Sequence, residues 1–529
     1  MCSRYDSANH YTFSRAQSGE MVPAILNSVH EKKPLHSMVN PQREAQRLAS
    51  SIPDSTLLVV LLGLGGGFTA EAILSQTQAQ LVVIDYNKEG IKELFSVIDY
   101  SRLVNNKRFS LLIDPDADEI KCFLLQNYNP SLCGGIKTIP LRARTEAEPL
   151  LFENAVRAIQ ETVDIISSDY SVQVHFGRRW FSNIIRNIKD FEPSMENKLP
   201  CSITGAAIAA AGPSLNQQMP FLSELKSKQV FIISCDTALP VLLQNGIEPD
   251  TVVSIDCQHI SYHHFFGYSN IKNIYLALDI ASPPLLSRLP FHPVFFSSSH
   301  PLAQYISAVW QPLFQIDTSG GNVTYACLSL AETIGAKNIT LFGADFAYIR
   351  SGTYAKGTYV NPYFDKKQNR FLSLEAQSSA FLYRSEFLPK TSQDQSYRET
   401  SSLRFYREKF EKKAAETDAH ITCAKGEGAP VKIQNRLTDN AIRNASLPKT
   451  KRNSITGSEF LDQYRKNIAA LPEAGEDDYL HKLDKNEREI FTTLLPTAAF
   501  IKYRNPSFKA NDLIEETKRY CVELIRKVI

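Results

Sequence analysis

The chain has 529 residues, 43% hydrophobic and 22% charged, with a formal net charge of +2. That length exceeds what one hydrophobic core serves and predicts roughly two to four domains. The near-neutral balance excludes a global field for nucleic acid or an anionic membrane, and nine cysteines scattered from Cys2 to Cys521 without a C-x-x-C pair read as reduced thiols rather than a disulfide framework.

No apolar run approaches the ~18–20 residues that span a bilayer. Residues 1–30, interrupted by Arg4, Asp6, Arg15 and Glu20, lack the apolar stretch of a secretory signal. A soluble, cytoplasmic protein is expected.

Residues 1 to 50 read as an irregular or helical lead-in. STLLVVLLGLGGGFTAEAIL (55–74) then gives a buried strand, a Gly-rich turn and a helix start. LVVIDYNKEGIKELFSVI (81–98) repeats the theme with Asp85 at the strand end, and RFSLLID (108–114) supplies another strand. This alternation predicts a parallel sheet covered by helices. Gly63 to Gly67 followed by Asp85 resembles a dinucleotide or methyltransferase fingerprint, but Phe68 stands where the third glycine of G-x-G-x-x-G belongs. A Rossmann-like domain without a cofactor reads equally well. Residues 147–190 read as helical, with an apolar stripe in FGRRWFSNIIRNI (176–188), and FEPSMENKLPCS (191–202) as a linker.

The next segment is more regular. SITGAAIAAA is a strand, GPS a turn and LNQQMPFLSELK a helix. Strands QVFIISCD, DTVVSID, NIYLALD and NITLFGAD end in Asp236, Asp256, Asp279 and Asp345, and VFFSSS lies among them. Helices ALPVLLQNG and TSGGNVTYACLSLAETIGA close on Gly246 and Gly335. Ligands of open parallel sheets bind outside the carboxyl ends of the strands. Asp236, Asp256 and Asp345 should therefore converge there with the turns at Gly212 and Gly320.

Gly212 in a strand-to-helix turn leaves backbone N–H groups at a helix start, a natural anion site. Pro213 sits where an N–H would be unpaired anyway, and Ser214 either donates to a phosphate oxygen or caps the helix. In TSGGNV (318–323), the two glycines Gly320 and Gly321 permit close backbone approach, and Asn322 caps or binds. The strand-end acids suit ribose hydroxyls, a base, or plain Asx turns. The one dense acid cluster, DPDADE (114–119), reads as a solvated turn, so a dedicated metal site is not supported. His259 and His263 share helical spacing but have no local carboxylate or cysteine partner, and an ordinary loop or short helix is preferred. His300 is better placed as an acid or base. Residues 346 to 400 read as a long functional loop rich in tyrosine. A helix, a short strand and KGEGAPV follow to 434, and 445–529 is charged and helical.

Taken together, AAAGPSL, ISCDTALPVLLQNGIEPDTVVSIDCQ, TSGGNVTYACLSLAETIGAKNITLFGADFAY and SGTYAKGT resemble the central domain of motility-associated factor flagellin glycosyltransferases. That domain is grouped with hydroxymethylpterin diphosphokinase-like proteins and is similar to bacterial sialyltransferases. The resemblance implies an α/β protein in three parts. These are an N-terminal Rossmann-like domain with a helical extension (1–190), a central Rossmann-like, sialyltransferase-type domain with a parallel sheet (200–435), and a C-terminal helical domain (440–529). It further implies transfer of a nonulosonic acid of pseudaminic or legionaminic type from its CMP-activated donor to Ser or Thr of flagellin, with no added cofactor, no nucleic acid and no membrane span.

By the same resemblance, Gly212, Pro213 and Ser214 line the CMP site, and Thr318, Ser319 and Gly320 hold the cytidine end. Asp236 and Asp256 stand where the sialyltransferases hold asparagines. Tyr354 matches a tyrosine that hydrogen-bonds the leaving phosphate, Tyr348 supplies a second hydroxyl, and Asp345 anchors that loop. The chain departs from the pattern at Ala211, where a polar residue is usual. It also has no histidine between Tyr354 and His420, leaving His300, Asp256 and Asp345 as candidates for the base. Two other readings are an ATP-dependent pterin diphosphokinase and a non-catalytic flagellin-binding assembly factor.

Overall fold

A computed structural model describes residues 11–26, 32–192, 197–200, 203–268, 271, 273–349, 352–389, 396–435, 454–475 and 479–529. The linker expected over 191–202 lies partly outside these residues. Two compact units are present. One takes in the chain up to Gly177 with Pro472–Asp484 and Leu495–Lys518; the other takes Arg178–Leu471, Lys485–Leu494 and Arg519–Ile529. The division falls within the 41-residue helix Pro149–Lys189, and the C-terminal helices are shared between the two units. No helix among the described residues is long and apolar enough to cross a membrane.

The first unit begins with a three-stranded antiparallel sheet, β1 (Thr12–Arg15), β2 (Met21–Leu26) and β3 (Lys32–Pro34). A helical or irregular lead-in was expected there; these strands, three to six residues long, are too short to show a period. The main sheet is parallel, with β4 (Thr56–Leu62), β5 (Gln80–Asp85), β6 (Phe109–Ile113) and β7 (Gly135–Pro140) in the order β6-β5-β4-β7. The continuous apolar run of β4 follows from burial on both faces. Val59 and Leu61 pack into one core, Leu58, Val60 and Leu62 into the other, and β5 divides in the same way. Strand β7 (GIKTIP) escapes a sequence reading because its edge position leaves it half-buried and without an apolar run.

The second unit holds an eight-stranded parallel sheet. Its strands are β8 (Gly205–Ala209), β9 (Phe231–Cys235), β10 (Thr251–Ser254), β11 (Tyr275–Asp279), β12 (His292–Ser297), β13 (Phe314–Gln315), β14 (Asn338–Phe342) and β17 (His420–Cys423). The order is β13-β12-β11-β10-β9-β8-β14-β17. From β8 the chain first builds outward through β9 to β13, then returns to the other side of β8 as β14. The order therefore reverses between β8 and β14, where their ends are in register at Ala209 and Phe342. A crevice at such a reversal is where α/β sheets bind ligands. The alanines of β8 are all buried, and their small side chains let the helix Val323–Thr333 lie across β8, β9 and β10.

The segment read as a long loop (346–400) is partly ordered. It contains the two-stranded antiparallel pair β15 (Tyr348–Ile349) and β16 (Tyr397–Arg398) and the helices Val360–Asp365 and Leu374–Leu382. These elements are too short to impose a period on the sequence.

Candidate functional site

At the reversal point lies a cavity of about 500 Å³. Ala210, Ala211 and Gly212 line it after β8, Cys235 and Thr237 at β9, and Gly343 to Tyr348 after β14. Asn322 and Thr324 come from the start of the helix Val323–Thr333, and Tyr354, Arg384 and Tyr406 close it from the later segment.

The GPS turn is wired to the end of β14. Gly212 N–H donates to the Gly343 carbonyl at 2.9 Å, and Ser214 N–H donates to Asp345 Oδ2 at 2.8 Å. A carboxylate thus already sits at the start of the helix Leu215–Ser227, where the dipole favours negative charge. Ser214 does not cap its own helix; its hydroxyl accepts from Glu427 N–H at 3.0 Å. The expectation that Gly212, Pro213 and Ser214 together face a ligand therefore narrows to Gly212. The Ser214 N–H is committed to Asp345, and Ser214 and Pro213 do not line the cavity.

Asp345 is 5% exposed and borders the cavity. Burial pushes its carboxyl above the usual aspartate range; the Ser214 hydrogen bonds pull it back and nearby Glu427 pushes it up further. Tyr348 and Tyr354 also border the cavity. Burial raises the Tyr354 phenol, against the lowering influence of Arg384.

The other strand-end acids are absorbed by turns. Asp236, buried at the end of β9, accepts from Thr237 N–H at 2.7 Å and from the Ser254 hydroxyl at 2.8 Å, so Thr237 rather than Asp236 faces the cavity. Asp256 accepts from Gln258 N–H at 2.8 Å and does not line the cavity; its carboxyl is raised mainly by burial. His300 caps the helix Pro301–Val309 through Nδ1, packs edge-on against Trp180 at 5.3 Å, and is pushed down to about 3 by burial. It is outside the cavity lining, so of the three base candidates the structure brings only Asp345 to the cavity.

In the TSGGNV turn, Asp317 organises the backbone by accepting from Ser319 N–H at 2.9 Å and the Tyr325 hydroxyl at 2.7 Å. Thr318, Ser319 and Gly320 stay outside the lining, while Asn322 both caps its helix through Tyr325 N–H and reaches the cavity. The lining residues that sequence reasoning missed include Thr237, Thr324, Phe346, Arg384 and Tyr406. Thr237 follows a strand-end Asp and was within reach of the strand argument. Arg384 and Tyr406 come from segments with no pattern that announces a site. Among the described residues no group of three or more His, Cys, Asp or Glu is placed to hold a metal ion.

The Gly-rich loop of the first unit is occupied by the protein itself. His36, pushed down to about 4 by burial, accepts from Gly66 N–H at 2.8 Å through Nε2. The Tyr100 hydroxyl donates to the Gly65 carbonyl at 2.5 Å. Gly65 has φ +52°, and a Cβ there would meet His36 Nε2 at 2.5 Å and Leu141 Cδ2 at 2.6 Å. Asp85, the acid expected on a ribose, accepts from Leu64 N–H at 2.7 Å and from the fully buried Arg144 Nε at 2.9 Å. These contacts fit the reading of a Rossmann-like domain without a cofactor. Arg144→Met leaves Asp85 buried without its countercharge, which costs about 3–5 kcal/mol. A fall of roughly 10 °C in the thermal midpoint is expected; an unchanged midpoint would show that the pair carries no structural weight.

A family model described as 6-hydroxymethylpterin diphosphokinase MptE-like matches residues 179–351. Three uncharacterized proteins of Treponema pallidum (strain Nichols) are relatives. One is 29% identical over 192 residues, which is 35% of this chain and 90% of that protein. The second is 35% identical over 91 residues, 17% of this chain and 32% of that protein. The third is 24% identical over 235 residues, 44% of this chain and 51% of that protein. The chain thus spans about a third and about half of the latter two. The solved MAf glycosyltransferase from Magnetospirillum magneticum AMB-1 superimposes with a TM-score of 0.56 at 15% identity, over 99% of this chain and 92% of that one. The resemblance carried by the GPS, ISCD and TSGGNV stretches therefore stands: the chain has the fold of the MAf glycosyltransferase, and its residues 179–351 are similar to the 6-hydroxymethylpterin diphosphokinase MptE-like family.

Proposed function

We propose that this protein is a cytoplasmic glycosyltransferase that moves a nonulosonic acid of pseudaminic or legionaminic type from its CMP-activated donor to Ser or Thr hydroxyls of flagellin. The observation that carries this reading is the fold shared with the MAf glycosyltransferase over 99% of the chain. The cavity supports it, lying at the sheet's reversal point with three tyrosines, Tyr348, Tyr354 and Tyr406, and one carboxylate on its wall.

In the proposed reaction the bond between the anomeric carbon and the donor phosphate oxygen breaks, and CMP leaves with the electron pair. The carbon passes through an oxocarbenium-like state and is taken by the acceptor hydroxyl oxygen. Tyr354 and Tyr348 donate hydrogen bonds to the departing phosphate. Asp345 receives the hydroxyl proton, and its raised pKa makes it a better base than an ordinary exposed aspartate. No added cofactor enters the scheme.

The match of residues 179–351 to a pterin diphosphokinase-like family favours a second reading, pyrophosphoryl transfer from ATP to a pterin. One experiment separates the two. The protein is co-expressed with flagellin and a CMP-nonulosonate supply, and intact flagellin mass is compared with and without it. A mass increase of one or more nonulosonate units is expected. Unchanged flagellin, with AMP released from ATP in the presence of hydroxymethylpterin, would replace the first reading by the second.

A further inference from the structure

We infer that Arg384 is the cation that receives the phosphate of the activated donor. This rests on the reading above, that the cavity takes a nucleotide-activated sugar, and adds the residue that makes an anion welcome there.

The cavity is lined by two charged side chains, Asp345 and Arg384. The Asp345 carboxylate is hydrogen-bonded to the GPS turn and repels a phosphate, so an anionic group has Arg384 as its electrostatic partner. On the following helix, Ser401–Glu416, Arg404 and Arg407 pair with Glu399 and Lys413 with Glu332 and Asp317, and neither these nor Lys409 and Lys412 line the cavity. Among the described residues Arg384 makes no ion pair with a carboxylate. Its guanidinium instead lies over the Phe381 ring, 4.1 Å from the centroid. An aromatic face holds a guanidinium in place, and beyond the hydrogen bond to Tyr354 its planar fork keeps further donors for an oxyanion.

Position points the same way. Tyr354 borders the main cavity and also a second one of about 190 Å³, which Phe381 and Phe364 help to line. Arg384 lies beside Tyr354, close enough to lower its phenol. The cation and the phenol hydroxyl thus stand at the junction of two compartments. With the nucleotide in the larger one, the phosphate–sugar bond falls at this junction, where the leaving group's charge develops.

Full-length protein, wild type and Arg384→Gln, is titrated by calorimetry with CMP, UMP, AMP and GMP and with the four matching nucleosides. The wild type should bind at least one monophosphate about 10- to 100-fold more tightly than its nucleoside, the range expected of a hydrogen bond to a charged group. Arg384→Gln should erase that difference while keeping the nucleoside affinity, and Arg384→Lys should restore part of it. If the glutamine variant does not fold, Arg384→Met, which keeps the apolar stem, replaces it. A phosphate preference that survives in the variant overturns the inference, as does a wild type that prefers no monophosphate over its nucleoside. The donor reading fails separately. Arg384-dependent binding of a purine monophosphate alone would remove CMP and leave Arg384 in its role, whereas CMP preference untouched by the substitution would do the reverse.

Discussion

Replacing Asp345 by asparagine is expected to lower the rate of glycosyl transfer by about 10²- to 10⁴-fold, the usual span for removal of a general base. The side-chain shape is kept, and Asn Oδ1 still accepts the Ser214 N–H that the wild-type carboxylate accepts. CMP affinity should therefore change little or rise, because a negative charge on the cavity wall is removed. The pH profile separates this role from a structural one. Burial holds the Asp345 carboxyl above the ordinary value of 3.8, with Ser214 pulling down and Glu427 pushing up. The base must be ionised, so kcat/KM should fall as pH drops through that raised pKa, and the acid limb should lie above the usual aspartate range. In Asp345→Asn the limb should vanish along with most of the rate. A variant with an unchanged acid limb would hand the proton to another group.

Gly212→Ala should lower transfer by roughly 10²-fold, the loss that a displacement of about 1 Å produces at a reacting centre. Gly212 is required for close approach: a Cβ built there runs into Asp345 Oδ2 and into the Gly343 carbonyl oxygen. The same carbonyl accepts the Gly212 N–H, and the neighbouring Ser214 N–H holds Asp345. One methyl group therefore pushes apart the two strand ends that define the cavity and moves the proposed base. The effect should appear in kcat more than in KM for CMP-sugar, and the thermal midpoint should fall by a few degrees. Wild-type kcat in Gly212→Ala would mean that the turn yields without disturbing Asp345, and the site would then have to be drawn elsewhere.

Much of the site was legible because strand ends announce themselves locally. A run such as FIISCD stops being apolar where the chain leaves the sheet, so Gly212, Asp236, Asp256 and Asp345 could all be placed at one rim from sequence. Their roles could not be. Asp236 and Asp256 look like Asp345 in sequence, yet both accept backbone N–H groups of their own turns, while Asp345 accepts one from Ser214, 131 residues away. His300 was attractive by position but caps a helix against Trp180, where burial disfavours its charged form. Its burial depends on a helix more than a hundred residues earlier in the chain. Arg384 was invisible for the opposite reason: nothing periodic surrounds it, and its relation to Phe381 exists only once the helix Leu374–Leu382 has formed.

The Gly-rich loop of the first unit shows the same division. Gly63 to Gly67 and Asp85 carry the local pattern of a nucleotide site, and the pattern correctly marks a strand, a turn and a helix start. Whether that turn is open to a ligand is decided by His36, from before the strand, and Arg144, from well after it, which satisfy the very groups a cofactor would use.

What the sequence determined by itself was the set of parts: apolar runs long enough for buried parallel strands, glycines closing helices, and polar residues where strands end. Those signals are short-range, because they report burial and backbone conformation within a few residues. The tertiary structure decided the order of strands, and with it which ends meet. Placing β14 next to β8 rather than beyond β13 is a long-range pairing choice, settled by packing of the whole sheet. That choice makes the crevice and brings Asp345 to Gly212 and Ser214.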